Sequence, residues 1–197
     1  MKIWQQDWIS RWALYSPERI AIQEQGSERS VTYRDLNEMA NGIASYLTRS
    51  LAIKKGDRIV VLAEYSIEYI ALFSAAQKTG LIIVPLNYRL SAPEIKEIID
   101  NADPVWIYYQ DTFEHLLPKD RRKTLLNDLS TLSSPAKDFV IHQVEEDDPI
   151  FIIYTSGTTG KPKGVKYTHK MAFWNSINTA ISLKINTESR TVNVMPP

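Results

Sequence analysis

Glycines, hydroxyls and lysines are concentrated in one ten-residue segment of this chain, at residues 155–164. The segment reads Thr155-Ser156-Gly157-Thr158-Thr159-Gly160-Lys161-Pro162-Lys163-Gly164, and it holds three of the seven glycines. Glycine tolerates a positive φ, so such a loop can turn several backbone N–H groups towards one anion. Hydroxyls add further donors, and a lysine adds a positive point charge. This combination of residue types is suited to binding phosphate.

The spacing of these residues matches neither of the two common nucleotide-binding loops. A P-loop needs Gly-x4-Gly-Lys-Ser/Thr, but Pro162 stands five residues after Gly157, and Val165 stands five residues after Gly160. The dinucleotide fingerprint Gly-x-Gly-x-x-Gly is also absent. A segment of this composition can equally be a flexible linker. The continuous apolar run at 150–154 favours a binding loop, because open α/β sheets bind ligands beyond the carboxyl ends of their strands.

Strand and helix patterns alternate along the middle of the chain. A continuous apolar run at 59–63 predicts a strand that is buried on both faces. Further strands are predicted at 82–84 and 105–109, with one helix at 67–78 and a second behind the capping box that opens at Ser91. This order predicts an α/β fold, with a doubly wound, largely parallel sheet flanked by helices.

The flanking segments carry shorter patterns. One stripe of a predicted helix holds Trp4, Trp8, Trp12 and Tyr15. We expect this helix to pack on the body of the protein, because it lacks the basic face of a membrane-surface helix. Short paired strands are predicted at 20–22 and 30–33, and an amphipathic helix capped by Thr32 follows at 36–47. A further strand is predicted at 139–141.

Composition excludes several classes of protein. The 197 residues carry 23 basic and 23 acidic side chains, so there is no basic excess and no nucleic-acid partner is expected. The absence of cysteine excludes disulfides, cysteine-ligated zinc and a thiol nucleophile. No apolar run is long enough for a membrane span, and residues 1–7 have no apolar signal core, so the expected location is cytoplasmic.

Residues 155–164 resemble, at every position, the phosphate loop of the acyl-adenylate-forming superfamily, which contains the AMP-dependent acyl-CoA synthetases. Other segments that resemble this family are Val31-Thr32-Tyr33 with Leu36-Asn37, Gly56-Asp57-Arg58-Ile59, Lys78-Thr79-Gly80, and Val84-Pro85-Leu86-Asn87-Tyr88-Arg89. The resemblance therefore extends over essentially the whole chain. It implies that the sheet is the first part of the large N-terminal domain of an adenylate-forming enzyme.

The resemblance also implies a reaction and a set of binding residues. Such enzymes join a carboxylic acid to AMP at the expense of ATP and then pass the acyl group to a thiol, usually that of coenzyme A. The implied cofactors are ATP, Mg2+ and coenzyme A, and Lys163 is expected to pair with the β- and γ-phosphates. The other expected cofactor-binding residues are Thr155, Ser156, Gly157, Thr158, Thr159, Gly160 and Gly164. Lys161 is expected to lie in solvent.

Two alternatives to an acyl-CoA ligase remain open at this point. One is an adenylation domain that loads a carrier protein, and the other is a phosphate-binding or interaction protein without catalysis. The segment Asn87-Tyr88-Arg89 is similar to acyl- and aryl-CoA ligases and favours the ligase. Asn87 and Arg89 are expected to brace the turn that contains them, and His169 is expected to be a surface residue rather than a ligand.

The later motifs of the family have no counterpart in this sequence. By the resemblance, the catalytic lysine and the magnesium-binding glutamate are expected beyond Pro197, so no catalytic or metal-binding residue is assigned here. Residues 1–197 are accordingly expected to be a partial N-terminal AMP-binding domain, without the rest of that domain and without the mobile C-terminal domain. We expect this chain alone to be inactive, and to self-associate through surfaces that later segments would cover.

Overall fold

The computed structural model describes residues 7–156 and 162–193, apart from the side chain of Ser156. The helices are α1 (Trp8–Tyr15), α2 (Tyr33–Ser45), α3 (Ile67–Thr79), α4 (Ala92–Ala102), α5 (Leu129–Leu132) and α6 (His169–Ser182). The strands are β1 (Ile20–Gln23), β2 (Ser30–Thr32), β3 (Arg58–Leu62), β4 (Ile82–Pro85), β5 (Trp106–Tyr109), β6 (Lys123–Leu125), β7 (Pro149–Ser156) and β8 (Pro162–Thr168). A π-helical turn, Tyr46–Ser50, continues α2, and 3-10 turns lie at Asp111–Leu116 and Leu126–Asp128.

Six of the strands form one sheet in the order β6-β5-β3-β4-β7-β8. All of its pairings are parallel except the last, β7 with β8, which is antiparallel. The two remaining strands, β1 and β2, form a separate antiparallel hairpin. The predicted α/β class with a largely parallel sheet is therefore confirmed.

The apolar run in β3 is buried because both faces of the sheet are covered. Ile59 and Val61 pack in the core that α2 and α3 cover. Val60 and Leu62 alternate with them and pack in the core that α4 covers. A strand with helices on both sides has no polar face, which is why this one reads as continuously apolar.

The predicted helix boundaries follow from local capping. Thr32 with Asp35 and Ser91 with Glu94 both form capping boxes, in which the Asp35 and Glu94 carboxylates accept hydrogen bonds from the N–H groups of Thr32 and Ser91 at the starts of α2 and α4. Gly80 ends α3 in the left-handed region at φ 74°, which a side chain would disfavour. These three positions confirm predictions made from sequence spacing.

The N-terminal helix packs on the body of the protein, as predicted. The ring of Trp8 stacks on that of Phe173 in α6, with 6.0 Å between centroids, and Trp12 lies 6.0 Å from Tyr33. Trp4, which the predicted stripe also includes, lies outside the described residues. Within the described ranges, no helix has the length and apolar character needed to cross a membrane.

The prediction of a strand at 139–141 is wrong. These residues have no regular structure, and Val140 is 84% exposed. The segment runs past the end of α3, where the His142 N–H donates to the Lys78 carbonyl over 2.8 Å. No strand of the described sheet lies beside this segment, so its backbone has no partner for strand pairing. The elements β6, β8 and α6 were not predicted.

Candidate functional site

The predicted phosphate loop, residues 155–164, includes the end of β7 and the start of β8, which pair as an antiparallel hairpin. Its middle residues, Gly157, Thr158, Thr159, Gly160 and Lys161, lie outside the described part of the chain. Ser156 is described only as the last backbone position of β7. The structure therefore describes the two strands on either side of these middle residues, and besides Ser156 they carry three fully described predicted binding residues.

Thr155 and Lys163 face one another across the base of this loop. They are cross-strand partners in the antiparallel ladder, and both are exposed. Directly opposed residues of an antiparallel pair lie on the same face, with their Cβ atoms about 5 Å apart. A hydroxyl and an ammonium group are thus brought together beside the loop. Because they are eight positions apart in sequence, only the hairpin register makes them neighbours.

The opposite face of the hairpin carries Gly164, the third predicted residue that is described. Gly164 is the cross-strand partner of Tyr154 and therefore alternates with Lys163. Its expected contact with phosphate would be through its backbone alone. The structure separates it from the face on which Thr155 and Lys163 lie.

The root of the hairpin is fixed in the sheet by aromatic packing. Phe151 of β7 pairs in register with Ile83 of β4. Its ring stacks on Phe73 of α3 with 5.3 Å between centroids and 7° between planes. Since strand residues alternate between faces, Thr155 shares the α3 side of the sheet with Phe151.

The positive charge of Lys163 is not neutralised by its described neighbours. Within 7–156 and 162–193, the side chain of Lys163 forms no ion pair or hydrogen bond. The next cross-strand pair on the same face is Ile153 with Val165, which are 42% and 53% exposed. An exposed ammonium group that no described carboxylate pairs with is available to bind an anion.

His169 is buried, so the prediction that it lies on the surface is wrong. It is the first residue of α6, it is 3% exposed, and its N–H donates to the Asp148 carbonyl over 3.0 Å. Burial lowers the pKa of His169 to about 4, and the charge of Lys55 adds to this effect, against the opposing influence of Asp148. His169 is therefore a neutral residue in the contact between α6 and the acidic turn that precedes β7.

Asn87 braces the turn after β4, as predicted. Its Oδ1 accepts a hydrogen bond from the Arg89 N–H over 2.9 Å, while the Arg89 side chain is exposed. Asx turns of this kind hold a loop without any ligand.

Tyr154 and Asn101 are two residues near the site that sequence reasoning missed. The Tyr154 hydroxyl donates to Asn101 Oδ1 over 2.6 Å and so links β7 to the last turn of α4. The two residues are 53 positions apart, and no sequence pattern pairs them. The one signal in the sequence is that Tyr154 directly precedes the loop. From its residue type alone, however, Tyr154 cannot be distinguished from the other apolar residues of the strand.

The described residues do not form a magnesium site by themselves. Within these ranges, no group of three or more histidines or carboxylates is placed to hold a metal ion. Mg2+ prefers oxygen ligands and usually takes several from phosphates and water. The hydroxyl of Thr155 is the one predicted side-chain oxygen whose position is described here, and it cannot supply a ligand set alone.

The AMP-binding enzyme family matches residues 9–197 of this chain. Among curated proteins, the long-chain-fatty-acid–CoA ligase FadD13 of Mycobacterium tuberculosis is 32% identical over 195 residues, which covers 93% of this chain and 39% of the relative. The chain thus spans about two fifths of the length of the curated relatives it matches.

Solved structures give the same likeness in three dimensions. The o-succinylbenzoate CoA synthetase (MenE) from Bacillus subtilis, in complex with the acyl-adenylate intermediate OSB-AMP, has a TM-score of 0.84 at 25% identity. That match covers 98% of this chain and 50% of the other. A second structure of the same enzyme, in complex with ATP and magnesium ion, has a TM-score of 0.83 at 25% identity and covers 98% of this chain and 51% of the other.

Proposed function

Because this chain belongs to the AMP-binding enzyme family, we propose that it supplies the phosphate-binding hairpin of an ATP-dependent, AMP-forming acid–CoA ligase. The observation that carries this proposal is the pairing of Thr155 with Lys163 at the base of the glycine-rich loop. That geometry presents a donor and a positive charge on one face, as phosphate binding requires. Relatives named as CoA ligases favour coenzyme A over a carrier protein as the acceptor.

The proposed reaction has two steps. In the first, a carboxylate oxygen of the acid attacks the α-phosphorus of ATP, and the bond from that phosphorus to the bridging oxygen of the β-phosphate breaks. The products are an acyl-adenylate and pyrophosphate. In the second step, the sulfur of coenzyme A attacks the acyl carbon, loses its proton, and displaces AMP. The acyl carbon of a free carboxylate is a poor electrophile. The first step makes it reactive, because it attaches AMP, which is a good leaving group.

The role that we propose for this chain lies in the first step. The ammonium group of Lys163 would hold the β- and γ-phosphates and stabilise the charge that develops on the departing pyrophosphate. Thr155 would donate its hydroxyl to a phosphate oxygen on the same face. The loop residues from Ser156 to Gly160 would complete the phosphate contacts through backbone N–H groups and hydroxyls, as the resemblance implies. Mg2+ would add positive charge at the phosphates, with ligands from outside the described residues.

The substrate that we propose is a carboxylic acid of a class that this chain alone does not specify. The two relatives differ in this respect, since one is named for long-chain fatty acids and the other for o-succinylbenzoate. The contacts that we propose for the β7–β8 hairpin are with the ATP phosphates, and these are the same whichever acid is adenylated. We therefore assign this chain to the common adenylation step, in a cytoplasmic enzyme.

Replacing Lys163 by alanine should weaken the binding of pyrophosphate to the 197-residue chain by at least about tenfold. Two or three charge-assisted hydrogen bonds give the wild-type loop an affinity of roughly millimolar, and Lys163 supplies the full positive charge among them. The measurement is an NMR titration with pyrophosphate that follows the amide signals of residues 163–168. Lys166→Ala is the matched control, because Lys166 is also exposed in β8 but pairs with Ile152 on the opposite face. No shift of the wild-type signals at about 10 mM pyrophosphate would contradict the proposed function.

The 197-residue chain should not catalyse adenylate formation by itself. It spans 39% of the FadD13 sequence, and the resemblance assigns the catalytic lysine and the magnesium-binding glutamate to later segments. The assay is ATP-dependent exchange of labelled pyrophosphate in the presence of a panel of fatty, aryl and dicarboxylic acids. Exchange above the level of the Lys163→Ala variant would show that these groups are not needed and would overturn this part of the proposal.

A further inference from the structure

In the described sheet, the register of β7 with β4 is a single pair near the start of β7. That pair is Phe151 with Ile83, whereas residues 151–156 are in register with β8 as far as the end of β7. An isolated two-stranded ribbon is marginally stable in water. Contacts of the side chains with the core therefore help to hold Thr155 and Lys163 in a defined position.

Tyr154 provides such a contact on the face opposite to these two residues. Its ring packs against the core on the α4 side, together with Ile152. Its hydroxyl donates to Oδ1 of Asn101, in the last turn of α4, over 2.6 Å. Burial of the ring raises the pKa of Tyr154, so the phenol keeps the proton that it donates.

Gly164 makes room for this ring. A Cβ atom built on Gly164 would lie 2.7 Å from Ile152 Cγ2 and 3.2 Å from Tyr154 Cζ. The ring of Tyr154 therefore crosses the β8 backbone at the place where a side chain would otherwise stand. The described glycines with a positive φ are Gly26, Gly56 and Gly80. Gly164 is not among them, so glycine at this position is explained by the space that a side chain would occupy and not by backbone conformation.

The ring is not held by dense packing alone. A cleft of about 250 Å³ lies between α4 and the hairpin, and its lining includes Arg58, Asn101, Tyr154 and Lys166. A ring that borders open space can change its position unless a directional bond holds it. The hydrogen bond to Asn101 is the described bond that the Tyr154 hydroxyl makes.

We propose that Tyr154, Gly164 and Asn101 form a tyrosine anchor that positions the Thr155–Lys163 pair for phosphate. This inference rests on the proposed function of that pair. Tyr154 directly precedes Thr155 in the chain, and Gly164 directly follows Lys163. A displacement of either anchor residue therefore also moves its neighbour in the Thr155–Lys163 pair. Tyr154 and Asn101 are positioning residues, and neither is expected to touch the phosphates.

Tyr154→Phe tests the anchor, because it removes the hydroxyl and keeps the ring. We expect amide hydrogen exchange at residues 163–166 to rise about fivefold, with unchanged exchange in α3. We expect the dissociation constant for pyrophosphate to rise by a similar factor. Asn101→Ala should match Tyr154→Phe, whereas Asn101→Asp, which retains an acceptor, should stay close to wild type. Tyr167→Phe is the control, since it removes a hydroxyl from the same hairpin on the opposite face.

The possible outcomes separate the anchor from the proposed function. If Tyr154→Phe gives the same exchange rates as wild type, or raises them no more than Tyr167→Phe does, the anchor is wrong. If exchange rises in Tyr154→Phe while its pyrophosphate affinity equals that of wild type, positioning for phosphate is wrong. If exchange rises and the wild-type chain binds no pyrophosphate, the anchor stands as a structural element and the proposed function fails.

Discussion

Replacing Lys78 by methionine should lower the free energy of unfolding of this chain by about 3–5 kcal/mol, because it removes an ammonium group that pairs with a buried carboxylate. The Lys78 ammonium group lies 2.5 Å from Asp7 Oδ2 and 2.8 Å from Asn37 Oδ1. The side chains of Lys78 and Asp7 are both 1% exposed. The pair joins the start of α1 to α2 and to the end of α3. Chemical denaturation followed by circular dichroism, with extrapolation to water, measures the loss.

Two further variants identify the cause of that loss. Lys96→Met removes an exposed ion pair with Asp100 in α4, and it should change the free energy of unfolding by no more than about 0.5 kcal/mol. The double variant Asp7→Asn with Lys78→Met should recover part of the stability, because both charges of this buried pair are then removed and Asn can still cap α1. A loss below about 1 kcal/mol in Lys78→Met would contradict the prediction.

Acidification should destabilise this chain through His169 in the range between pH 6.5 and pH 4. Burial lowers the pKa of His169 to about 4, whereas a histidine in the unfolded chain titrates near pH 6.5. Between these values the unfolded state binds the additional proton, so the free energy of unfolding falls as the pH falls. The contribution of His169 is complete above about pH 6.5 and is lost by about pH 4. Its full size is about 3 kcal/mol.

The measurement is the free energy of unfolding at pH 7 and pH 4 for the wild type and for His169→Asn. Carboxylates also titrate in this range, but they are present in both proteins, so the difference between the two pH profiles isolates His169. The wild type should lose about 3 kcal/mol more than the variant. His115→Asn is the control, because His115 is an exposed histidine in a 3-10 turn. Parallel profiles for the wild type and His169→Asn would refute the prediction.

Most of the parallel sheet and its helices could be predicted, because their signals are local. A strand covered on both faces reads as a continuous apolar run, as β3 does. The capping boxes at Thr32 and Ser91 set helix starts within four residues of chain. The family could be recognised for a similar reason, since the phosphate loop is one uninterrupted segment.

The elements that were missed depend on neighbours that are distant in sequence. β6 is a three-residue edge strand, and it forms because its backbone can pair with β5. The apolar residues at 139–141 have no neighbouring strand in the described sheet and therefore form no strand. His169 reads as a polar residue after a loop, but the turn before β7 buries it. Burial and strand pairing are properties of the assembled chain, so residue types in one short window do not specify them.

The candidate site shows the same difference between features with local signals and features that depend on distant contacts. The residue types from Thr155 to Gly164 were sufficient to predict a phosphate-binding loop, since glycine conformation, hydroxyl donors and lysine charge are properties of the residues themselves. Folding decided which of them lie together: the hairpin register places Thr155 opposite Lys163 and turns Gly164 to the other face. Folding also brought Tyr154 to Asn101 and Lys78 to Asp7, which are 53 and 71 positions apart. Such contacts form only when distant segments pack, because the hydrogen bonds and ion pairs that define them have no counterpart in the order of residues along the chain.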